Sequence, residues 1–233
     1  MAADNLFLWV PPVVPFAAWV LYGGLPQLAL YPMSSSKCDS VRRAVYLTFD
    51  DGPDPDFTPR VLDILARDNV KATFFLIGER AQKNPSIVRR MVSEGHMIGN
   101  HTWHHRNAWF LTPTRTKEEI ITGKKILEDI AGTQVSLYRP PWAMVNAYVL
   151  YLIHTYNLET ILFNIQPEGL RARSPEWQYT YCLSRIHSGA IIDFHDAEGV
   201  KGAPVRLLAY IHNLIESIRK EDFEILRIEP ALS

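Results

Sequence analysis

From residue 44 onward the chain alternates between short apolar runs and longer stretches whose apolar residues recur every three or four positions. "AVYLTF" (44–49) is β-rich. Val61, Leu62, Leu65 and Ala66 then line one face of a helix predicted over Pro59 to Asp68, and proline suits a first helical turn. "ATFFLIG" (72–78) is continuously apolar and ends on glycine, as expected of a parallel strand buried on both faces. Ile87, Val88, Met91 and Val92 mark the apolar face of a second helix, and "HMIGNH" (96–101) reads as a short third strand. The alternation continues with a helix near 115–131, a strand near 135–139, a helix near 143–156, a strand at 159–165, a helix near 174–187 and a strand at 189–196. Leu207, Leu208, Ile211, Leu214, Ile215 and Ile218 repeat at helical spacing in a long helix from about Pro204 to Lys220, and "FEILRI" (223–228) closes the series.

Strands alternating with helices predict βα units around a parallel sheet, an α/β fold. Six or seven such units between residues 44 and 228 fit a small (β/α) barrel better than an open sheet.

The amino-terminal part departs from this pattern. Residues 5–36 form a run of 32 residues without a charge. About 20 apolar residues suffice to cross a bilayer. Five prolines and the Gly23-Gly24 pair nevertheless exclude one straight helix. Trp9, Trp19, Tyr22 and Tyr31 suit a membrane interface. The run is expected either to associate with a membrane, through residues 5–32, or to pack on the domain's own surface. A cleaved signal peptide is not expected, because Asp4 is the only charge before the run and no basic n-region is present. The chain therefore divides into an apolar N-terminal segment, 1–37, serving as anchor or surface-packed extension, and a domain over 38–233. A membrane-associated or cell-surface location follows, with Lys37, Arg42 and Arg43 too few to fix the side.

Composition narrows the function classes. The net charge of −1 gives no reason to expect a nucleic-acid partner. Cys38 and Cys182 are too few for a disulfide framework and their spacing is no zinc motif, so they are either one bridge or two separate thiols.

The polar residues with chemical potential fall where strands end, which in βα folds is where functional loops gather. Asp50, Asp51, Asp54 and Asp56 crowd into "TFDDGPDPD" after the first strand. Asn100, His101, His104 and His105 follow the third, Arg139 the fourth, and His195 and Asp196 end the strand at 189–196. His101 and His105 are four apart, so on a helical turn both imidazoles point the same way and can share a metal. A carboxylate from Asp50 or Asp51 completes a two-His, one-carboxylate set with positions open to water and substrate. Read without such a site, the aspartates are a solvated turn and His195 is a core histidine.

"LTFDDGP", "GHMIGNHTWHH", "YRPPW" and "GAIIDFHD", in this order, resemble four of the five motifs of the polysaccharide deacetylase family, the carbohydrate esterases with a NodB homology domain. The resemblance covers roughly residues 44–228 and implies a distorted (β/α) barrel of the NodB-homology type. It implies hydrolytic removal of N-acetyl, or a similar acyl group, from amino sugars of a cell-wall polymer such as peptidoglycan or a chitin-like glycan. A membrane lipid-linked amino sugar is the alternative substrate, and a silent, membrane-tethered carbohydrate-binding module the alternative role.

Position by position, the resemblance makes Asp50 the general base and Asp51, His101 and His105 the ligands of one divalent ion. Zinc is the first choice, with cobalt, nickel, iron or manganese also accepted by such ligands. Arg139 would hold Asp50, His195 would be the general acid, and Pro140 to Trp142 would wall the groove. The fourth motif, normally rich in aspartate and tryptophan, reads "LFNIQPEGL" (162–170), with Phe163, Gln166 and Gly169 at altered positions. His195 is therefore expected to lack its usual acidic partner. Asp193, two residues earlier on the same strand face, is expected to pair with His195, to make the acyl pocket polar, or to bridge an arginine.

Overall fold

The computed structural model describes residues 19–28, 42–168 and 172–230. Its centre is β1, Ala44–Asp50, buried at every position because neighbours cover both faces and both edges. β2 (Thr73–Leu76), β3 (Met97–Asn100), β4 (Leu137–Tyr138), β5 (Glu159–Thr160), β6 (Ala190–His195) and β7 (Glu224–Leu226) complete seven strands among the described residues. The order is β5-β4-β3-β2-β1-β6, all pairings are parallel, and β7 adds to the first half of the β1 edge whose second half pairs with β2. Beyond β5 the chain crosses to the far edge. Ile165 bridges Ile192 of β6, with the Asn164 and Ile165 N–H groups donating to the Ile191 carbonyl and Asp193 N–H donating to that of Ile165. This bridge curls the sheet into the distorted barrel.

Helices cover the outer face: α1 (Thr58–Arg67), α2 (Gly78–Lys83), α3 (Pro85–Ser93), α4 (Pro113–Ala131), α5 (Ala147–Thr155), α6 (Pro175–Leu183) and α7 (Ala203–Lys220). Side chains alternate along each strand, so Val45, Leu47 and Phe49 face outward into a core with Leu62, Leu65, Leu207, Ile211 and Leu214 of α1 and α7. Tyr46, Thr48 and Asp50 face inward. In-register pairing sets Ile191, Asp193 and His195 of β6 beside them. The interior is thus apolar at its base, where Tyr46, Phe75, Leu137, Ile161 and Ile191 pack, and polar at the carboxyl ends of the strands.

The predicted elements are present, with differences in extent. The strand expected at 159–165 is regular only at 159–160, because the chain leaves the sheet there to reach β6. The helix expected from 143 begins at Ala147, capped by Asn146, after a 3-10 turn over Pro141–Ala143. α2 has no counterpart in the periodicity, since its six residues are too few to show one.

The domain division at 37/38, Cys38 and most of the uncharged run lie outside the described residues, as does Gly169. Cys182 is buried and free. The described piece of the run, Trp19 to Leu28, packs on the domain: Trp19 meets the Trp109 ring edge-on at 5.1 Å, and Tyr22 donates to the Leu111 carbonyl at 3.1 Å. No helix among the described residues is long and apolar enough to cross a membrane.

Candidate active site

The site starts from a glycine. At Gly99 any Cβ would collide with the Phe75 ring, so its bare backbone lets Phe75 lie inside the barrel. The Arg139 guanidinium rests 4.1 Å above that ring. Arg139 is completely buried, and its donors are aimed by the strand ends around it. Nε donates to the Ile161 carbonyl at 3.1 Å. Nη1 serves Asp50 Oδ1 at 2.7 Å, Thr48 Oγ1 at 2.8 Å and Asp193 Oδ1 at 3.1 Å. One cation therefore faces two buried carboxylates. Burial opposes ionisation of Asp50, but Arg139, His101 and His195 outweigh it and hold that carboxyl below its ordinary range. Burial and then the Asp50 charge push Asp193 well above the usual carboxylate range.

Asp51 follows in the left-handed region, φ 70°, which turns its side chain toward the loop after β3. There His101 and His105 bring their Nε2 atoms to 3.6 Å and 3.2 Å from Asp51 Oδ1. His101 presents Nε2 because its other ring nitrogen, as N–H, donates to the Arg139 carbonyl at 2.7 Å. Thr102 and His105 also have positive φ, at 69° and 57°, and Thr102 Oγ1 accepts from His105 N–H at 3.0 Å. Burial, then the neighbouring His101, lowers His105 to about 4, so its ring is neutral. The three ligand atoms lie within 4.8 Å of one another. Asp51 Oδ1 is buried and has no hydrogen-bond donor. A carboxylate oxygen without a hydrogen-bond donor, facing two imidazole nitrogens, fits a divalent cation. Arg80 ties down the same loop, donating to the Asp51 carbonyl at 2.9 Å. Asp196, buried, accepts from Thr58 Oγ1 at 2.5 Å beneath it.

His195 ends β6, in register with Asp50. Its Nδ1 lies 2.6 Å from Glu168 Oε2, and its Nε2 points toward Asp51 Oδ2 at 3.9 Å. Burial alone would lower His195. The Glu168 hydrogen bond and the charges of Asp193, Glu168 and Asp51 override it and raise the ring to about 10.

This corrects the expectation that His195 lacks an acidic partner. Glu168 supplies one from within the altered motif, because the Ile165–Ile192 bridge lays that loop beside β6. Asp193 is not that partner; it takes the arginine alternative, and its Oδ2 accepts from Gln166 Nε2 at 3.2 Å. His104 stands aside from the ligand set and pairs with Glu119 at 2.8 Å.

A cavity of about 880 Å³ opens over these groups. Pro140, Trp142, Phe163, Gln166 and Asp193 line it. Trp142 adopts φ 54°, placing its ring 4.3 Å from that of His105. The residues put forward from sequence, Asp50, Asp51, His101, His105, Arg139, Pro140, Trp142, Asp193 and His195, are thus in one place. Glu168 was missed, and the one sequence signal for it was an acid two residues past Gln166 in an irregular stretch before β6.

The polysaccharide deacetylase family profile matches residues 37–161. A peptidoglycan-N-acetylglucosamine deacetylase of Bacillus cereus is 37% identical over 155 residues, which are 66% of this chain and 56% of that protein. Another Bacillus cereus protein of the same name is 32% identical over 192 residues, 82% of this chain and 88% of the relative. The crystal structure of the Bc1960 peptidoglycan N-acetylglucosamine deacetylase resembles this fold with a TM-score of 0.77 at 31% identity, over 82% of this chain and 88% of that one.

Proposed function

The chain belongs to the polysaccharide deacetylase family, and from that premise we propose that it is a metal-dependent hydrolase removing N-acetyl groups from amino sugars of a cell-wall polysaccharide. The observation that carries the proposal is the flanking of one ligand set by two differently tuned groups. Asp50, held ionised by Arg139, and His195, held protonated by Glu168, both border the cluster of Asp51, His101 and His105.

Asp51, His101 and His105 would hold one divalent ion, zinc first among the metals that such ligands accept. When bound, that ion supplies polarisation of the acyl carbonyl and acidification of a water. The chain's own residues do the rest. Asp50 accepts the attacking water's proton through the oxygen that Arg139 leaves free, and Arg139 keeps that carboxylate anionic. His195 carries a proton on Nε2 and passes it to the departing amine, while Glu168 fixes the ring and stabilises its charged form. Pro140, Trp142 and Phe163 form the walls against which a pyranose ring would lie.

Two relatives named as peptidoglycan-N-acetylglucosamine deacetylases support a peptidoglycan-type polymer as the substrate. A lipid-linked amino sugar is the second reading, favoured by one observation. Leu21, Leu25 and Leu28 are exposed on a segment that bonds to the backbone of Ala143, a cavity-lining residue, and of Val145 just beyond it. In that reading the uncharged residues 5–32 attach the catalytic unit to a membrane, and flotation of the full chain with anionic vesicles tests the attachment. The decisive assay is release of acetate or formate from chitooligosaccharide, peptidoglycan and a lipid-linked amino sugar by the metal-loaded protein. Release from the polymer supports the first reading and release from the glycolipid alone the second. Release from none, with about one ion bound per chain, overturns both.

A further inference from the structure

Gln27 lies on the segment Trp19–Leu28, outside every motif above. Its side chain reaches across more than one hundred residues of sequence to the wall of the site. Nε2 donates to the Ala143 carbonyl at 2.6 Å, and Oε1 accepts from Val145 N–H at 3.0 Å. The side-chain amide supplies a donor and an acceptor on two neighbouring atoms, and only one orientation of it satisfies both partners.

The loop so gripped needs holding. Trp142 and Ala143 are consecutive non-glycine residues in the left-handed region, each with φ 54°. L-residues avoid that region, and such a pair persists only where surrounding contacts over-determine it. The turn's own bonds, Ala143 N–H to the Pro140 carbonyl and Met144 N–H to that of Pro141, close it from inside. Gln27 spans its exit from outside. The conformation matters because it lays the Trp142 ring against His105 and over the cavity. The segment carrying Gln27 is itself pinned by Trp19 on Trp109 and by Tyr22 on Leu111.

We propose that Gln27 is a positioning residue: it clamps the 142–145 loop in its strained conformation and so sets the Trp142 wall of the substrate groove. The kinetic half of the test rests on the deacylase reading, and the structural half does not.

The experiment compares full-length, metal-loaded wild type with Gln27→Ala, Tyr22→Phe and the double variant Gln27→Ala/Ala143→Gly. Hydrogen exchange followed by mass spectrometry reads the loop directly. Gln27→Ala is expected to speed exchange in peptides covering 143–146 and not in those covering β1 or β6. On the best substrate, KM is expected to rise on the order of tenfold with a smaller change in kcat. Tyr22→Phe, which loses one bond of the same segment but none to the loop, leaves kcat and KM as in wild type. Glycine adopts positive φ without penalty, so Ala143→Gly in the Gln27→Ala background recovers part of the lost KM.

Unchanged exchange over 143–146 in Gln27→Ala overturns the clamp, whatever the substrate. Equal kinetic losses in Gln27→Ala and Tyr22→Phe overturn it too, since mere docking of the segment would then be the cause. If wild type turns over none of the substrates, the deacylase reading fails while the exchange result still decides the clamp.

Discussion

Arg139 is the point where fold and site depend on one side chain. Replacing it by Met keeps the bulk over Phe75 but removes the cation from between Asp50 and Asp193. Both carboxyls are buried, so neither can recover its lost partner from water. Removing one partner of a buried ion pair costs about 3–5 kcal/mol, and Arg139→Met is expected to fall in that range. Asp50→Asn is not its mirror image. With Asp50 neutral, Asp193 still accepts from the same Nη1, so the buried cation keeps a carboxyl partner. The cost of Asp50→Asn should therefore be on the order of 1 kcal/mol, the scale of one hydrogen bond. The double variant should be more stable than Arg139→Met alone, giving a coupling larger than about 1 kcal/mol. Urea unfolding at neutral pH with chelator present measures all four proteins, provided the slopes agree. The reasoning fails if Arg139→Met costs less than about 1 kcal/mol, or if Asp50→Asn costs as much as Arg139→Met.

Three further predictions concern other links. His96 is buried, with Ala72 N–H donating to Nδ1 at 3.1 Å, and burial, then Lys71, lowers it from 6.5 to about 4. Between those values the unfolded chain binds a proton that the folded chain refuses, so stability present above 6.5 is lost as pH falls toward 4. Thermal melts across that window should be flatter for His96→Gln than for wild type; parallel curves would refute the assignment. At Gly199 a Cβ would overlap Asp51 Oδ2, so Gly199→Ala should lose bound metal and turnover while its melting temperature in chelator stays close to that of wild type. Retention of one ion per chain would contradict the packing. Glu168→Gln keeps the shape beside His195 but removes the charge, and kcat should drop about 100-fold or more. The basic limb of the pH–rate profile should also move to lower pH, since Glu168 helps to raise His195.

Much of this was legible from the chain. β1, β2 and β6 announce themselves because burial on both faces demands mostly apolar runs, and α7 because its apolar residues repeat over 18 positions. The clustering of Asp51, His101 and His105 was legible because they sit on loops that follow strands, where a parallel barrel gathers its loops. Glu168 was not. It lies in irregular chain, and its relation to His195 is created by a backbone bridge between Ile165 and Ile192 that no local pattern encodes. The role of Asp193 was open for a similar reason: strand alternation places it on the His195 face, but only the reach of Arg139 from β4 decides its partner. Nor does an uncharged run reveal that one amide in it, Gln27, grips a loop over a hundred residues away. Periodicity reports which face is buried; it is silent on long-range polar pairing.

The central claim is that one ligand set works between a base and an acid to hydrolyse an amide. The most direct measurement follows acetate and free amine together, from the best amino-sugar substrate, in wild type and in Asp50→Asn, with bound metal determined on the same samples. The account predicts about one divalent ion in both proteins, equimolar acetate and amine from wild type, and turnover in Asp50→Asn lower by on the order of 100-fold or more. Wild-type rates in metal-loaded Asp50→Asn would contradict it, and so would a metal-loaded wild type that binds the sugar and releases no acetate.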